Sequence, residues 1–328
     1  MGGSVSFPLS TLGGFNKAWL VCLLMSSIYV LSMYTIPGSV RALPRNDPKH
    51  IRARLFMSMV SSGIALLILY LCSSKDDGQP TLLQWTGLRT DYIFLAPILS
   101  LALTFSLFLG PTCCMVGAAW VGARASADGR GGWVRPEKPG APFAARLATE
   151  LAARSLLDWP LQAARNFLVG PLTEEFVFRG CMCPLLLCAG VPLPRVVFLG
   201  PLVFGVAHLH HAYERTRSGV PVAHALLAVG FQLSYTSLFG AYAGFVFLRT
   251  GQLWAAFWCH AFCNFMGLPD VSFFSTSKHA PLSVLYPYRF VFLATYLVGI
   301  GLFGGLLFKL TEPSFYPNSS FWEYYQKS

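Results

Sequence analysis

The sequence predicts an all-α, polytopic membrane protein, and three observations predict it. Apolar runs of about 20 residues, long enough to cross a bilayer, recur along nearly the whole chain. Charged residues make up 12% of the 328, against roughly 25% in soluble domains. Hydrophobic residues reach 54% and mean hydropathy is +0.54. Little is left for a soluble domain, so the chain reads as one membrane domain of about eight helices around a polar cavity.

The first apolar run, 18–36, is followed by a basic loop rather than a small-residue cleavage site, so it reads as a retained helix and not a signal peptide. Loop 37–54 holds Arg41, Arg45, Lys49, Arg52 and Arg54. Beyond the second run, 55–72, loop 73–91 sets Lys75 and Arg89 against Asp76, Asp77 and Asp91. Positive charge marks cytosolic loops, which makes the first loop cytosolic, the second lumenal and the N-terminus lumenal. A lumenal N-terminus argues against myristoylation of Gly2, although Met1-Gly2-Gly3-Ser4-Val5-Ser6 fits that loose pattern.

The third run, 92–121, is too long for one straight span and is expected to break at Gly110-Pro111. Loop 122–139, with Arg124, Arg130, Arg135 and Lys138, is again cytosolic. Residues 141–159 read as an Ala-rich helix lying on the cytosolic interface, with Arg146, Glu150 and Arg154 as a ridge at spacing four. The later segments are 161–189 and 195–211, expected to be interrupted at Gly170-Pro171 and Gly200-Pro201, then 222–248, 252–268 and 289–310. These divide the chain into N-terminal helices and cytosolic loops (1–160), a catalytic helical core (161–312) and a short aromatic tail (313–328). The tail carries the glycosylation sequon Asn318-Ser319-Ser320, which would report a lumenal C-terminus if occupied.

The net charge of +10 sits in short loops and not on one patch, so no nucleic-acid partner is expected. The nine cysteines have no zinc-type paired spacing and fall mostly in apolar segments, where they pack.

Within the apolar stretch 161–268 stand Glu174, Glu175, Arg179, His208, His210, His211, His224, His260 and Asn264. Ionisable groups at membrane depth are costly and point to function. Glu175 and Arg179, four apart, share a helix face and can form a buried bridge. A helix opened by Gly170-Pro171 would put Glu174 and Glu175 in its first turn, at the positive dipole end. Glu174, rotated about 100° from Glu175, has no such partner and is the candidate general base. Phe204 and His208 share one face past Gly200-Pro201. His210 and His211 read as interfacial and His224 as structural. His260 and Asn264, again four apart, point two hydrogen-bond donors into one cavity, as an oxyanion hole requires.

These motifs resemble those of the type II CAAX prenyl endopeptidases, the Ras-converting-enzyme family, within a wider set that includes bacteriocin-processing membrane glutamate proteases. The signatures Glu-Glu-x-x-x-Arg, Phe-x-x-x-His and His-x-x-x-Asn stand here as Glu174 to Arg179, Phe204 to His208 and His260 to Asn264, in the family's order. The resemblance is best over 171–268. It implies removal of the C-terminal tripeptide from isoprenylated CAAX proteins, Ras- and Rho-type small GTPases included. It further implies a multi-pass protein of the endoplasmic reticulum membrane, with a site open to the cytosol and in contact with membrane lipid. Carried over, Glu174 activates water with His208, His260 and Asn264 stabilise the oxyanion, and Glu175, Arg179 and Phe204 support the site, with neither metal nor other cofactor required.

Two other readings compete. A zinc protease would use His208, His260 and Glu174 or Glu175 as ligands, but no His-Glu-x-x-His motif is present and Asn264 would be idle. A transporter or receptor would use broken helices and buried carboxylates, but no second, symmetry-related half is visible.

Overall fold

The structure, a computed structural model, describes residues 15–73, 81–127, 147–148, 160–207, 215–216, 219–277, 279–317 and 321; the side chains at 122–127 and 203–207 are outside the description. Among the described residues every regular element is helical. The main helices are α1 (Phe15–Leu31), α2 (Pro48–Leu71), α3 (Leu95–Leu107), α4 (Leu109–Ala127), α5 (160–188), α6 (Leu193–Ala207), α7 (Val222–Thr250), α8 (Leu253–Met266) and α9 (Arg289–Leu310). Within the described residues each expected apolar run is mainly helical, and the boundaries follow local chemistry. Asp47 caps α2 by accepting the Lys49 N–H at 2.8 Å, with Pro48 opening the helix. Gly251, at φ 66°, closes α7 where only glycine turns left-handed without strain.

Among the described residues four helices are long and apolar enough to cross a membrane: Phe15–Thr35, Pro48–Leu71, Val222–Thr250 and Ser283–Leu310. The α3–α4 pair makes five if its 66° bend is one span. The expected count of about eight is therefore not met by length and apolarity alone, because the segments in the middle of the bundle are short or carry charge. The α3–α4 break falls at Phe108, two residues before the expected Gly110-Pro111. Gly110 instead lets α9 close in, since a Cβ there would stand 2.8 Å from the Tyr296 Cα. Small residues admit such close helix crossings.

The main core is built around α5, whose residues 177–187 are buried against α1 (Ala18, Cys22, Met25), α2 (Ala65, Leu69), α6 (Val196, Val197) and α7 (Ala243, Phe247). The N-terminal helices thus share one core with the later ones. Gly200-Pro201 does not interrupt α6, which runs through Pro201. The interfacial helix expected at 141–159 lies almost wholly outside the described residues. The described tail residues pack into the fold: Tyr316 is fully buried, and Phe321 packs between Trp85 and Phe247 at ring distances of 5.7 and 5.2 Å. Together with the Leu253 N–H on Gly87 O, this places the tail and the α7–α8 turn at the same end as segment 81–92.

Candidate active site

The glutamate pair lies on α5, which alternates between two helical geometries. Three α-helical pieces, Pro160–Ala163, Gly170–Glu175 and Met182–Cys188, are joined by π-helical pieces Ala164–Val169 and Phe176–Cys181. The first π turn follows from Pro171, whose ring would clash with the carbonyl four residues back in an ordinary α-helix. The wider turn absorbs it, and the Gly170 N–H reaches back to Arg165 O. Gly170 is needed for this, because a Cβ would stand 2.4 Å from that oxygen.

The expected break at Gly170-Pro171 is thus overturned. Val169 and Gly170 keep right-handed helical dihedrals and α5 continues through them. Glu174 and Glu175 are in mid-helix, so no free helix N-terminus faces them. π turns within an α-helix are rare and frequently fall at functional sites, and hydropathy does not reveal them.

Glu175 is completely buried. Its Oε1 accepts from Arg179 Nη1 at 3.1 Å and from His260 Nδ1 at 2.7 Å. Arg179 also donates from Nη2 to Gly240 O at 3.1 Å. A side chain at 240 would crowd both that guanidinium, at 3.2 Å, and Pro201, at 2.9 Å, so glycine is what lets α7 approach. Since Glu175 facing Arg179 can only accept, the nitrogen of His260 that carries the proton toward it is Nδ1. The opposite ring nitrogen, Nε2, then faces Glu174 Oε2 at 3.8 Å. That gap exceeds a direct hydrogen bond and suits a bridging water. The Glu174 side chain is 29% exposed, so water can reach it.

Neighbouring helices hold this array. Phe239 of α7 lies against the His260 ring at 4.8 Å. Beside His260, Cys259 takes a hydrogen bond from Thr104 Oγ1 at 3.1 Å, and Thr104 meets the Tyr242 hydroxyl at 2.9 Å, which ties α3, α7 and α8 together. Tyr29 of α1 bonds Thr173, the residue before Glu174, at 3.0 Å.

Asn264 stands apart from the expected shared cavity. It is exposed at the end of α8, and its Nδ2 donates to Asn166 O at 2.9 Å. The reason is the π turn. The Gly170 N–H goes to Arg165 O, and Pro171, next in line for Asn166, has no N–H to give. The Asn166 carbonyl is orphaned and the Asn264 amide satisfies it. One N–H of that amide remains for other use.

The structure therefore brings Glu174, Glu175, Arg179 and His260 together and sets Asn264 one turn toward the end of α8. Phe204 lies in α6 with its side chain outside the description, and His208, His210 and His211 lie outside the described residues. His224 is exposed in the first turn of α7. Among the described residues no three His, Cys, Asp or Glu side chains converge as a metal site would need. Sequence reasoning missed Asn166, Gly240 and the Thr104–Tyr242–Cys259 cluster. Of these only Gly240, a small residue four before Gly244 in an apolar run, carries a readable signal of close helix approach.

The chain is similar to several known proteins. The family described as Type II CAAX prenyl endopeptidase Rce1-like matches residues 156–266, which contain α5 and α8. The chain is 38% identical to CAAX prenyl protease 2 of Homo sapiens over 90% of its own length and 81% of the relative's. It is 33% identical to CAAX prenyl protease 2 of Arabidopsis thaliana, covering 93% of each. It is also 33% identical to a probable CAAX prenyl protease 2 of Schizosaccharomyces pombe, covering 78% of this chain and 82% of that one. No solved structure matches.

Proposed function

The chain belongs to the type II CAAX prenyl endopeptidase family, and from that premise we propose how a multi-pass membrane endopeptidase of this kind removes the C-terminal tripeptide from prenylated CAAX proteins. The observation that carries the reading is the relay Arg179–Glu175–His260–Glu174, whose last gap of 3.8 Å is open to water.

In this reading a water bridges Glu174 Oε2 and His260 Nε2. Glu174 takes its proton as the water oxygen attacks the carbonyl of the prenylated cysteine, and returns that proton to the departing amine of the tripeptide. Arg179 and Glu175 do not touch substrate. They position His260, whose Nε2 accepts the water's other O–H, takes that second proton as the oxygen attacks and holds it toward the oxyanion. Asn264 is the proposed second donor, which requires its amide to turn from Asn166 O toward the oxyanion. From the resemblance alone, His208 is proposed to assist Glu174 and Phe204 to support the site.

The zinc and transporter readings gain no specific support from this geometry. The mouth beside Asn264 lies at the basic end of the bundle, near Arg45, which supports access from the cytosol and residence in the endoplasmic reticulum membrane. Ras- and Rho-type GTPases are the proposed substrates. Their prenyl chain would hold the cleavage site at membrane depth, each buried methylene contributing about 0.8 kcal/mol. The test is incubation of the purified protein with a prenylated CAAX peptide and mass analysis of the products. Release of the intact tripeptide is expected, with little or none from the same peptide bearing a free thiol. Equal kcat/KM on the two peptides would overturn lipid recognition.

A further inference from the structure

Arg165 has a task that the relay does not explain. It occupies the first π turn of α5, partly buried, and makes three hydrogen bonds: Nε to Asn166 Oδ1 at 2.9 Å, Nη1 to Arg45 O at 3.0 Å and Nη2 to Asn46 Oδ1 at 3.2 Å. All three acceptors are neutral. Arg45 and Arg54 lie within electrostatic reach and repel it, and among the described residues it meets no carboxylate. Three of the five guanidinium N–H groups are used, which leaves two, one on each terminal nitrogen. A half-buried cation held rigidly by backbone and amide oxygens, beside another cation and with two donors spare, is built to receive an anion.

Its position says which anion. Arg165 and Glu174 stand nine residues apart on one helix, at most about 13.5 Å along the axis at helical rise and less through the π turn. An extended tripeptide reaches about 10 Å, and an arginine side chain spans the remainder. Between the two points lies the Asn264–Asn166 joint, the edge along which a departing tripeptide would run. Resting on the endopeptidase reading above, we propose that Arg165, seated by the Arg45–Asn46 turn, binds the α-carboxylate at the substrate's C-terminus. The enzyme then measures three residues from the free carboxylate to the cleaved bond. This limits it to chain ends and places the scissile carbonyl at Glu174.

The test is a two-by-two comparison of unsubstituted protein and Arg165→Gln on a prenylated CAAX peptide ending in a free acid or in a carboxamide. For the unsubstituted protein, kcat/KM on the acid should exceed that on the amide by about 10- to 100-fold, the range of hydrogen bonds to a charged group. Arg165→Gln should bring the acid down to the amide's value and leave the amide nearly unchanged, with Arg165→Lys between. The acid-to-amide ratio does not depend on how much variant folds. An unchanged ratio in Arg165→Gln would overturn the inference. Equal losses on both peptides that vary with the fraction of anionic lipid would also overturn it, and would assign Arg165 to headgroups. No cleavage of the acid peptide by unsubstituted protein would instead defeat the endopeptidase reading itself, and this inference with it.

Discussion

Among the described residues two arginines are buried, Arg179 at 3% exposure and Arg249 at 5%, and they are satisfied in different ways. Arg249, at the end of α7, is wrapped by neutral acceptors: Nε reaches Thr311 O and Thr311 Oγ1 at 2.9 Å, and Nη2 reaches Phe308 O at 3.2 Å. Phe245 and Phe308 flank its guanidinium at 5.4 and 5.3 Å. Its carboxylate partner, Glu312 at 3.3 Å, is half exposed. Arg179 faces a carboxylate with no exposure at all, and that carboxylate is shared with an imidazole that leads to a second carboxylate. The first arrangement is a fastener that ends in backbone. The second continues to an atom that water can reach. Burial of a cation therefore does not mark a reaction site; a chain of ionisable groups leading from it to solvent does.

The largest effect should come from the end of that chain. Glu174→Gln keeps size and hydrogen bonding but cannot take a proton, so kcat should fall by about 100- to 10,000-fold, the usual weight of a general base. Folded yield and thermal unfolding in detergent should match the unsubstituted protein, because Glu174 is partly exposed and joined to His260 only across 3.8 Å. Normal turnover by a well-folded Glu174→Gln protein would put the chemistry elsewhere.

Arg179→Ala should damage the fold as well as the activity. It leaves Glu175 charged and fully buried against His260, a change of about 3–5 kcal/mol for a broken buried pair. Size-exclusion yield and the unfolding midpoint measure it. Arg249→Ala sharpens the contrast. It removes a donor from acceptors at the edge of the bundle, and the half-exposed Glu312 adds little, so a loss of about 1–3 kcal/mol is expected. Activity per folded molecule should be unchanged. A specific loss of kcat in Arg249→Ala, without loss of folded protein, would break the distinction between fastener and relay.

The same contrast explains what the sequence made legible. Glu175 and Arg179 were readable because their partnership is local, four residues apart on one face, and the helices around them because bilayer-length apolar runs need no tertiary information. His260 on Glu175, 85 residues away, was legible only as a motif, and its second reach toward Glu174 was not legible at all. The Asn166–Asn264 bond was hidden because it depends on a π turn, and whether a proline breaks a helix or widens it is decided by what packs around it. Gly170-Pro171 read as an end for that reason. The tail was legible as aromatic but not as a packing element, because its aromatic residues declare a role only once Trp85 and Phe247 are beside them.

The smallest expected effect is none, and it bears on whether the relay or a metal activates the water. Glu175 Oε1 is occupied by Arg179 and by His260 Nδ1 while its Oε2 has no hydrogen-bond partner, so a metal at this site would be held by His260 Nε2, a carboxylate oxygen of Glu174 or Glu175, and a third ligand, for which His208 is the candidate. Three protein ligands and a water would make a catalytic zinc site. A bound zinc would also draw Nε2 and Glu174 onto itself and leave the water between metal and substrate. In the relay the water needs only the two acceptors 3.8 Å apart, and removing metal changes nothing in that geometry. Detergent-solubilised protein, treated with a strong chelator and assayed on a prenylated CAAX peptide, should therefore keep nearly all its kcat/KM. Loss of activity that is restored by added zinc would replace the relay with a metal centre, and Arg179–Glu175 would then be the support of a zinc-bound His260.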